Sequence, residues 1–123
     1  MSRVLVVDDE PDIRLTMRLI LERAGHEVRE AVDGTEALRL VREMPHVILL
    51  DIRLPDIDGL EVLRILKAEP SVASIPVVCV SAHSSGDTQK KAMDLGAVAY
   101  VNKPFDFDEL RNVVAAAVRD LPV

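Results

Sequence analysis

Acidic residues follow two of the short apolar runs in this sequence, at the positions where buried strands would end. Asp8 and Asp9 follow the run Val4–Val7, and Asp51 follows Val47–Leu50. Carboxylates that pack together repel one another and resist ionising unless a cation lies between them. Mg²⁺ suits such a group because it takes oxygen ligands, binds through a few carboxylates and retains water. These three residues therefore indicate a magnesium site that could accept a phosphoryl oxygen as a further ligand.

A hydroxyl group and an ammonium group follow two further apolar runs. Ser81 comes directly after Val77–Val80, and Lys103 comes just after Val98–Val101. Lys103 can neutralise one phosphoryl oxygen, and the Ser81 hydroxyl can donate a hydrogen bond to another. A single acidic loop residue would be interpreted as a helix cap or a solvated charge. Placement of the whole set at four strand ends instead predicts a site where an aspartate is phosphorylated.

Five short apolar runs alternate with amphipathic stretches along the chain. Four of the runs are those above, and the fifth, Val28–Ala31, is interrupted by charge. Such runs are typical of strands buried on both faces of a parallel sheet. Helices are predicted to open near Pro11, Asp33, Asp58, Asp87 and Asp106. This alternation predicts one domain over residues 1–123, an α/β doubly wound (βα)5 fold with a parallel five-stranded sheet.

Composition argues against several classes of function. The net charge of −6 provides no basic surface for a phosphate backbone, so direct nucleic-acid binding is not expected. The longest apolar stretch, Val113–Val118, is too short to span a membrane, and the N-terminus does not resemble a signal peptide. The single cysteine, Cys79, is predicted to be a buried core thiol and suits a reducing cytosol. We therefore expect a cytoplasmic protein.

Four blocks of the sequence resemble the signature blocks of bacterial response-regulator receiver domains. The blocks are Val6–Glu10, Asp51–Gly59, Val80–Ala82 and Tyr100–Phe105. They occur in the order and at the spacing of that family, over essentially the whole chain, and the chain is most similar to chemotaxis regulators of a single domain. The resemblance implies a flavodoxin-like fold with strand order 2-1-3-4-5.

The resemblance also implies a role for each acidic residue of the site. Asp51 would accept a phosphoryl group from the phosphohistidine of a sensor histidine kinase or a phosphotransfer protein. Asp9, Asp51 and the backbone carbonyl of Arg53 would bind Mg²⁺ directly, and Asp8 would act largely through water. Asp56 and Asp58 are interpreted instead as residues of the turn and of the third helix cap.

Further residues are assigned to signalling by the same resemblance. Lys103 would pair with the acceptor and then with the phosphoryl group, and the Lys103–Pro104 bond would be cis. Ser81 and Tyr100 would report phosphorylation to the surface of the fourth helix, fifth strand and fifth helix. That surface would bind a downstream effector protein or a second copy. Arg53 and His83 lie where the family tunes hydrolysis of the phosphoryl group.

Partner docking is predicted on the first helix and on the loop after the fifth strand. Leu15 and Leu19 form an apolar pair, four residues apart, outside the predicted core stripe of this helix. Arg14 and Arg18 lie beside that pair. The resemblance adds Phe105, in a loop that contacts the kinase in this family.

Other functions remain open at this stage. A metal-dependent phosphatase with an aspartyl-phosphate intermediate also combines aspartate, serine and lysine around Mg²⁺. A flavodoxin-like cofactor carrier is disfavoured because Asp8-Asp9-Glu10 would repel a phosphate. A purely structural interaction module is the third alternative. A receiver would be a regulatory phosphoacceptor rather than an enzyme, and no effector domain follows, so we expect either a single-domain regulator or an excised receiver.

Overall fold

Five strands alternate with five helices in the computed structural model, which describes residues 2–82 and 86–119. The strands are β1 (Arg3–Val7), β2 (Glu27–Ala31), β3 (Val47–Asp51), β4 (Val77–Ser81) and β5 (Ala99–Asn102). The helices are α1 (Pro11–Arg23), α2 (Gly34–Leu40), α3 (Gly59–Ala68), α4 (Gly86–Asp94) and α5 (Phe107–Arg119). Neighbouring strands are parallel and their order is β2-β1-β3-β4-β5. The predicted fold class and strand order are confirmed.

Alternate residues of the central strands face two separate apolar cores. On one face, Leu5 and Ile48 pack with buried residues of α2, α3 and α4. On the other face, Val4 and Leu49 pack with buried residues of α1 and α5. Because helices cover both faces, the central strands are apolar throughout, as their sequences predict. The strands that end at the polar carboxyl edge are therefore packed on both faces.

Side-chain caps and glycines set the helix ends. Asp33, Asp58 and Asp106 each accept a backbone N–H of the following helix at 2.7–2.8 Å, which satisfies a group that has no partner within the helix. Gly25 and Gly96 follow α1 and α4 with φ of 94° and 108°, a conformation that a side chain disfavours. Both predicted helix-ending glycines are confirmed.

The fifth strand begins one residue later than its apolar run predicts. Pairing with β4 starts at Ala99, opposite Val78, and continues to Asn102, opposite Ser81. Val98 precedes the strand and its side chain is 51% exposed. Its β-branched, apolar character favoured strand structure, but its position at the sheet margin leaves it in solvent.

Cys79 lies in the middle of the sheet. It is fully buried in β4, opposite Leu50 of β3 and Tyr100 of β5, as the sequence predicts for a core thiol. Burial raises the pKa of the thiol to about 12, because the apolar surroundings disfavour the thiolate. In the part of the chain that the structure describes, no helix has the length and apolar character needed to cross a lipid bilayer.

Candidate functional site

Three polar side chains are buried at the carboxyl edge of the sheet. They are Asp8 after β1, Asp51 at the end of β3 and Ser81 at the end of β4, with exposed fractions of 0%, 5% and 0%. Among the described residues, these are the polar or charged side chains that reach such burial. Burying a charge is costly unless it is paired. Because these three buried polar side chains lie together at the topological switch point of the sheet, they indicate a functional site.

Lys103 supplies the charge that the two buried carboxylates require. Its Nζ lies 2.6 Å from Asp8 Oδ2 and 3.4 Å from Asp51 Oδ2, and the Lys103 side chain is itself largely buried. Burial alone would lower the pKa of Lys103, but the hydrogen bond that Lys103 donates to Asp8 and the charge of Asp51 outweigh it and raise that pKa. The ammonium group therefore stays charged between the carboxylates.

The charge of Asp51 is only partly compensated within the site. Burial raises the pKa of Asp51 to about 6, the charge of Asp8 adds to the rise, and Lys103 opposes it. The backbone N–H of Arg53 donates to Asp51 Oδ1 at 3.3 Å. A carboxylate with this pKa binds a proton or a cation readily near neutral pH. A cation bound beside Asp51 would therefore favour its ionised form.

The turn after β1 carries a group of three carboxylates. Oxygens of Asp8, Asp9 and Glu10 all lie within 4.8 Å of one another. Asp8 is held in place because its Oδ1 accepts the Glu10 N–H at 2.9 Å. Glu10 belongs to the acidic group but was not among the predicted metal ligands, although its place in the run Asp8-Asp9-Glu10 was a signal for it.

A small open pocket joins this acidic turn to Asp51. Its volume is about 180 Å³, and its lining residues are Asp9, Glu10, Asp51, Arg53, Ala82 and Lys103. Three of these residues, Asp9, Glu10 and Asp51, offer carboxylate oxygens, which is the donor chemistry that Mg²⁺ prefers. The residues present therefore fit a magnesium ion. The pocket also leaves room for water or a small phosphoryl group beside it.

The loop after Asp51 is fastened to the start of α2. The Asp56 carboxylate accepts hydrogen bonds from the backbone N–H groups of Gly34, Thr35 and Ile57 at 2.7–2.9 Å, and from the Thr35 hydroxyl. The Thr35 hydroxyl and these N–H groups hold the pKa of Asp56 well below its usual range. Asp56 therefore serves the turn, as predicted.

Gly59 brings the start of α3 against the strand that carries Asp51. A Cβ at this position would overlap the Asp51 carbonyl oxygen and lie 2.6 Å from Ile52 Cα. The Gly59 N–H donates to the Ile52 carbonyl oxygen at 2.7 Å. Because the obstructing atoms are backbone, a side chain could be accommodated only if the end of β3 moved.

The predicted signalling residues lie on β4 and β5. Ser81 is buried, and its carbonyl oxygen accepts the Lys103 N–H at 2.8 Å, which ties the Lys103 backbone to β4. The Tyr100 side chain is partly buried and packs on the core beneath α2, α3 and α4. The Lys103–Pro104 peptide bond is cis, as the resemblance implies. His83 lies outside the described residues.

The predicted docking residues divide into exposed and inward-facing side chains. Leu15 and Leu19 are each 54% exposed, as expected for an apolar pair outside the core stripe. Arg14 is partly buried and binds Glu30, and Phe105 is partly buried and packs on the α1–α5 core.

Phe107 is the exposed aromatic side chain of this region, and the sequence analysis did not single it out. Its ring is 63% exposed at the start of α5. With Leu19 it borders an open groove of about 520 Å³ between α1 and α5. Arg23 and Arg111 line the same groove. An apolar groove with basic residues beside it therefore adjoins α1, the helix on which docking is predicted.

The fold and the site together define the class of protein. A doubly wound parallel sheet holds two buried aspartates, a lysine between them and a serine at its carboxyl edge. A model of the response regulator receiver domain matches residues 4–115. The chain therefore belongs to the response-regulator receiver family.

Similarity to known proteins covers nearly the whole chain. It is 38% identical over 120 residues to the DNA-binding dual master transcriptional regulator RpaA of Synechocystis, covering 97% of this chain and 50% of RpaA. It is 34% identical over 114 residues to sporulation initiation phosphotransferase F of Bacillus subtilis, covering 92% and 90% of the two chains. The chain thus spans about half the length of RpaA and most of the second relative.

Solved structures show the same fold. The receiver domain of Francisella response regulator 1452 superposes with a TM-score of 0.90 at 32% identity, over 97% of this chain and 98% of that one. Chemotaxis protein CheY4 of Vibrio cholerae gives a TM-score of 0.89 at 28% identity, over 95% and 98%. The chain is a phosphoacceptor receiver domain of two-component signalling, a regulatory domain of the kind that interacts with histidine kinases. The phosphatase alternative is not favoured.

Proposed function

We propose that Asp51 accepts a phosphoryl group from the phosphohistidine of a sensor histidine kinase or a phosphotransfer protein, in a reaction that requires Mg²⁺ in the cytoplasm. Residues 1–123 would act as one receiver domain that catalyses only its own phosphorylation and dephosphorylation. The observation that supports this proposal is the buried Asp51 carboxylate, 3.4 Å from Lys103 Nζ, at a pocket shared with Asp9 and Glu10.

Each residue of the pocket would have a separate role in phosphoryl transfer. An Asp51 oxygen attacks phosphorus, the bond from phosphorus to the histidine nitrogen breaks, and that nitrogen retains the electron pair. Lys103 neutralises a phosphoryl oxygen as the new bond forms. Asp8, Asp9, Asp51 and the Arg53 carbonyl would hold the metal, with Glu10 beside them. When bound, Mg²⁺ supplies the positive charge that offsets repulsion between the phosphoryl group and the carboxylates.

The test uses a small phosphodonor, so that no kinase is needed. Acetyl phosphate with Mg²⁺ should add one phosphoryl group to the chain, and the adduct should be removed by hydroxylamine, as an acyl phosphate is. With EDTA in place of Mg²⁺, the adduct should be absent, because the acidic pocket then repels the donor. Intact-protein mass spectrometry measures both results. Equal labelling in EDTA would contradict the magnesium requirement, and turnover of a phosphomonoester would favour the phosphatase.

The exposed face of α1 and the groove beside α5 are proposed as the surface for the kinase or phosphotransfer protein. Leu15, Leu19 and Phe107 supply apolar contact area, and Arg23 and Arg111 would pair with acidic side chains of the partner. Arg18, which is partly exposed while bound to Glu30 and Glu22, lies beside the leucines. This surface keeps Leu15, Arg18 and Leu19 of the predicted docking residues and adds Phe107, Arg23 and Arg111.

Truncating the leucine pair should separate partner recognition from chemistry. Leu15→Ala with Leu19→Ala should slow phosphoryl transfer from the cognate kinase about tenfold or more, because apolar anchors dominate such interfaces. Labelling by acetyl phosphate should be unchanged. Met93→Ala with Val98→Ala is the matched control, since it truncates two exposed apolar side chains elsewhere. Equal loss in both assays would indicate misfolding and remove the argument for docking.

Phosphorylation is proposed to change the surface formed by α4, β5 and α5, to which a downstream effector or a second copy would bind. Of the described α4 residues, only Ala92 is a buried hydrophobic, so this helix is weakly anchored to the core. A helix with little buried apolar area is suited to move at low cost. Ser81 lies at the end of β4, and Tyr100 lies on β5, which pairs with β4.

Removing the Ser81 hydroxyl should uncouple phosphorylation from this change. Ser81→Ala should still label at Asp51, but the NMR shift changes at Tyr100 and along α4 should fall well below those of the wild type. The reason is that the phosphoryl group loses a donor that draws Ser81 toward it. Ser71→Ala, an exposed serine, is the control. Full wild-type shift changes in Ser81→Ala would exclude Ser81 as the relay.

A further inference from the structure

Arg14 connects α1 and β2 to the turn that carries the acidic group. Its Nε lies 2.9 Å from Glu30 Oε1, and its Nη1 donates to the Asp8 carbonyl oxygen at 2.8 Å. The side chain is only 14% exposed. A guanidinium group can make both contacts at once because its donors diverge in a rigid plane. Both contacts of Arg14 are therefore intramolecular, and one of them is to the residue that directly follows β1.

Both backbone groups of Asp8 are held. Its N–H donates to the Ala31 carbonyl oxygen at 3.1 Å, and its carbonyl oxygen accepts from Arg14. The next two residues, Asp9 and Glu10, are exposed and carry the outer carboxylates of the acidic group. The direction of an exposed side chain on a turn depends on the backbone that precedes it. Fixing the Asp8 peptide group thus fixes where the carboxylates of Asp9 and Glu10 can meet.

Glu30 holds a second arginine that offers a natural comparison. Arg18 Nε lies 2.7 Å from Glu30 Oε2, and Arg18 also pairs with Glu22. Among the described residues, its side-chain hydrogen bonds go to these two glutamates and not to Asp8. Arg14 and Arg18 therefore share one carboxylate partner on β2, but only Arg14 also contacts the acidic turn.

We infer that Arg14, oriented by Glu30, is a positioning residue for the divalent-cation site. It touches neither the cation nor the phosphoryl group; it holds the Asp8 carbonyl so that the carboxylates of Asp8, Asp9 and Glu10 converge. Residues that orient metal ligands commonly change metal affinity by about 10–100-fold when they are removed. The inference rests on the proposed magnesium site, and it assigns Arg14 a role different from docking.

The direction in which the Kd for Mg²⁺ changes on replacing Arg14 distinguishes a positioning role from a purely electrostatic one. Arg14 brings a positive charge beside the acidic group, and a positive charge repels Mg²⁺. Removal of that charge alone should tighten Mg²⁺ binding. Loss of the contact to Asp8 should instead weaken it, because the carboxylates would no longer be held together. The two explanations therefore predict opposite changes in Kd.

The experiment is a titration of the unphosphorylated protein with MgCl2. Binding is measured by calorimetry and by the NMR shifts of the Asp9 and Glu10 amides. Arg14→Met should raise the Kd for Mg²⁺ about tenfold. Arg14→Lys keeps the charge, but it replaces a rigid planar group of diverging donors by one ammonium on a flexible stem. The Asp8 carbonyl should then be held less firmly, so the Kd should also rise. Arg18→Met loses the same glutamate partner and the same charge, and its Kd should stay within about twofold of the wild type.

Urea unfolding of the same variants shows whether stability explains the result. If Arg14→Met and Arg18→Met lose similar stability yet differ in Kd, positioning is supported. An unchanged or lower Kd in Arg14→Met, or a wild-type Kd in Arg14→Lys, would overturn the inference while leaving the magnesium site intact. If the wild-type protein itself gave no Mg²⁺ response at Asp9 and Glu10, the proposed function would fail instead.

Discussion

Asp51→Asn should abolish phosphoryl labelling by acetyl phosphate, which is the largest functional effect that the structure predicts. Asparagine has nearly the shape of aspartate, and the contact of its side chain with the Arg53 N–H can persist. Its amide, however, cannot act as the attacking carboxylate oxygen. We expect no adduct by intact-protein mass spectrometry, with a folded protein by circular dichroism.

Asp58→Asn is the matched control for Asp51→Asn. Asp58 is in the same loop, but its carboxylate caps α3 by accepting the Leu60 N–H at 2.8 Å. Asparagine caps helices about as well as aspartate, so labelling and stability should both be retained. Labelling of Asp51→Asn at the wild-type level, with the phosphoryl group on another residue, would refute the assignment of the acceptor.

Gly59→Ala should cause the largest loss of stability among single-methyl changes. The added methyl would overlap backbone atoms of Asp51 and Ile52, which cannot yield without displacing the end of β3. Overpacking of this kind costs about 3 kcal/mol of the free energy of unfolding. The change should appear as a lower urea midpoint. Acceptance of a phosphoryl group should also slow, because the Asp51 backbone is the part that must move.

Gly86→Ala provides the comparison, since it adds the same methyl group to a different helix start. Apart from the neighbouring backbone, no atom of the described residues lies within 4 Å of a Cβ at Gly86, so we expect no displacement. Alanine is the better helix former by up to about 1 kcal/mol, and stability should therefore stay equal or rise. If Gly59→Ala were as stable as Gly86→Ala, the close approach of α3 to β3 would not constrain the site.

The fold could be predicted because its signals are local. Three kinds of signal each act within a few residues of their own position. They are the short Val-rich runs, the capping aspartates Asp33, Asp58 and Asp106, and the glycines Gly25 and Gly96. The strand order came from the resemblance to a family. The start of β5 was misplaced at Val98, because apolar character does not distinguish a strand residue from an exposed residue at the strand margin.

The site could be predicted only in part, because some of its contacts join distant segments. Residues at strand ends, such as Asp8, Asp51 and Lys103, were identified because parallel strands bring their carboxyl ends together. The partnership of Arg14 with Glu30 spans 16 residues and leaves no local pattern, so Arg14 was assigned to docking. Phe105 precedes α5 and Phe107 begins it, on either side of the capping Asp106, so nothing in the sequence showed which ring faces solvent.

The position of Cys79 makes the single thiol of this chain a reporter of sheet opening. Alkylating reagents attack the thiolate, and burial in the intact sheet both raises the thiol pKa to about 12 and keeps a reagent out. Iodoacetamide would therefore modify Cys79 only in molecules where β4 is transiently exposed. The alkylation rate, relative to that of a free cysteine, measures the free energy of that opening. The same reaction can compare phosphorylated and unphosphorylated protein without any attached probe.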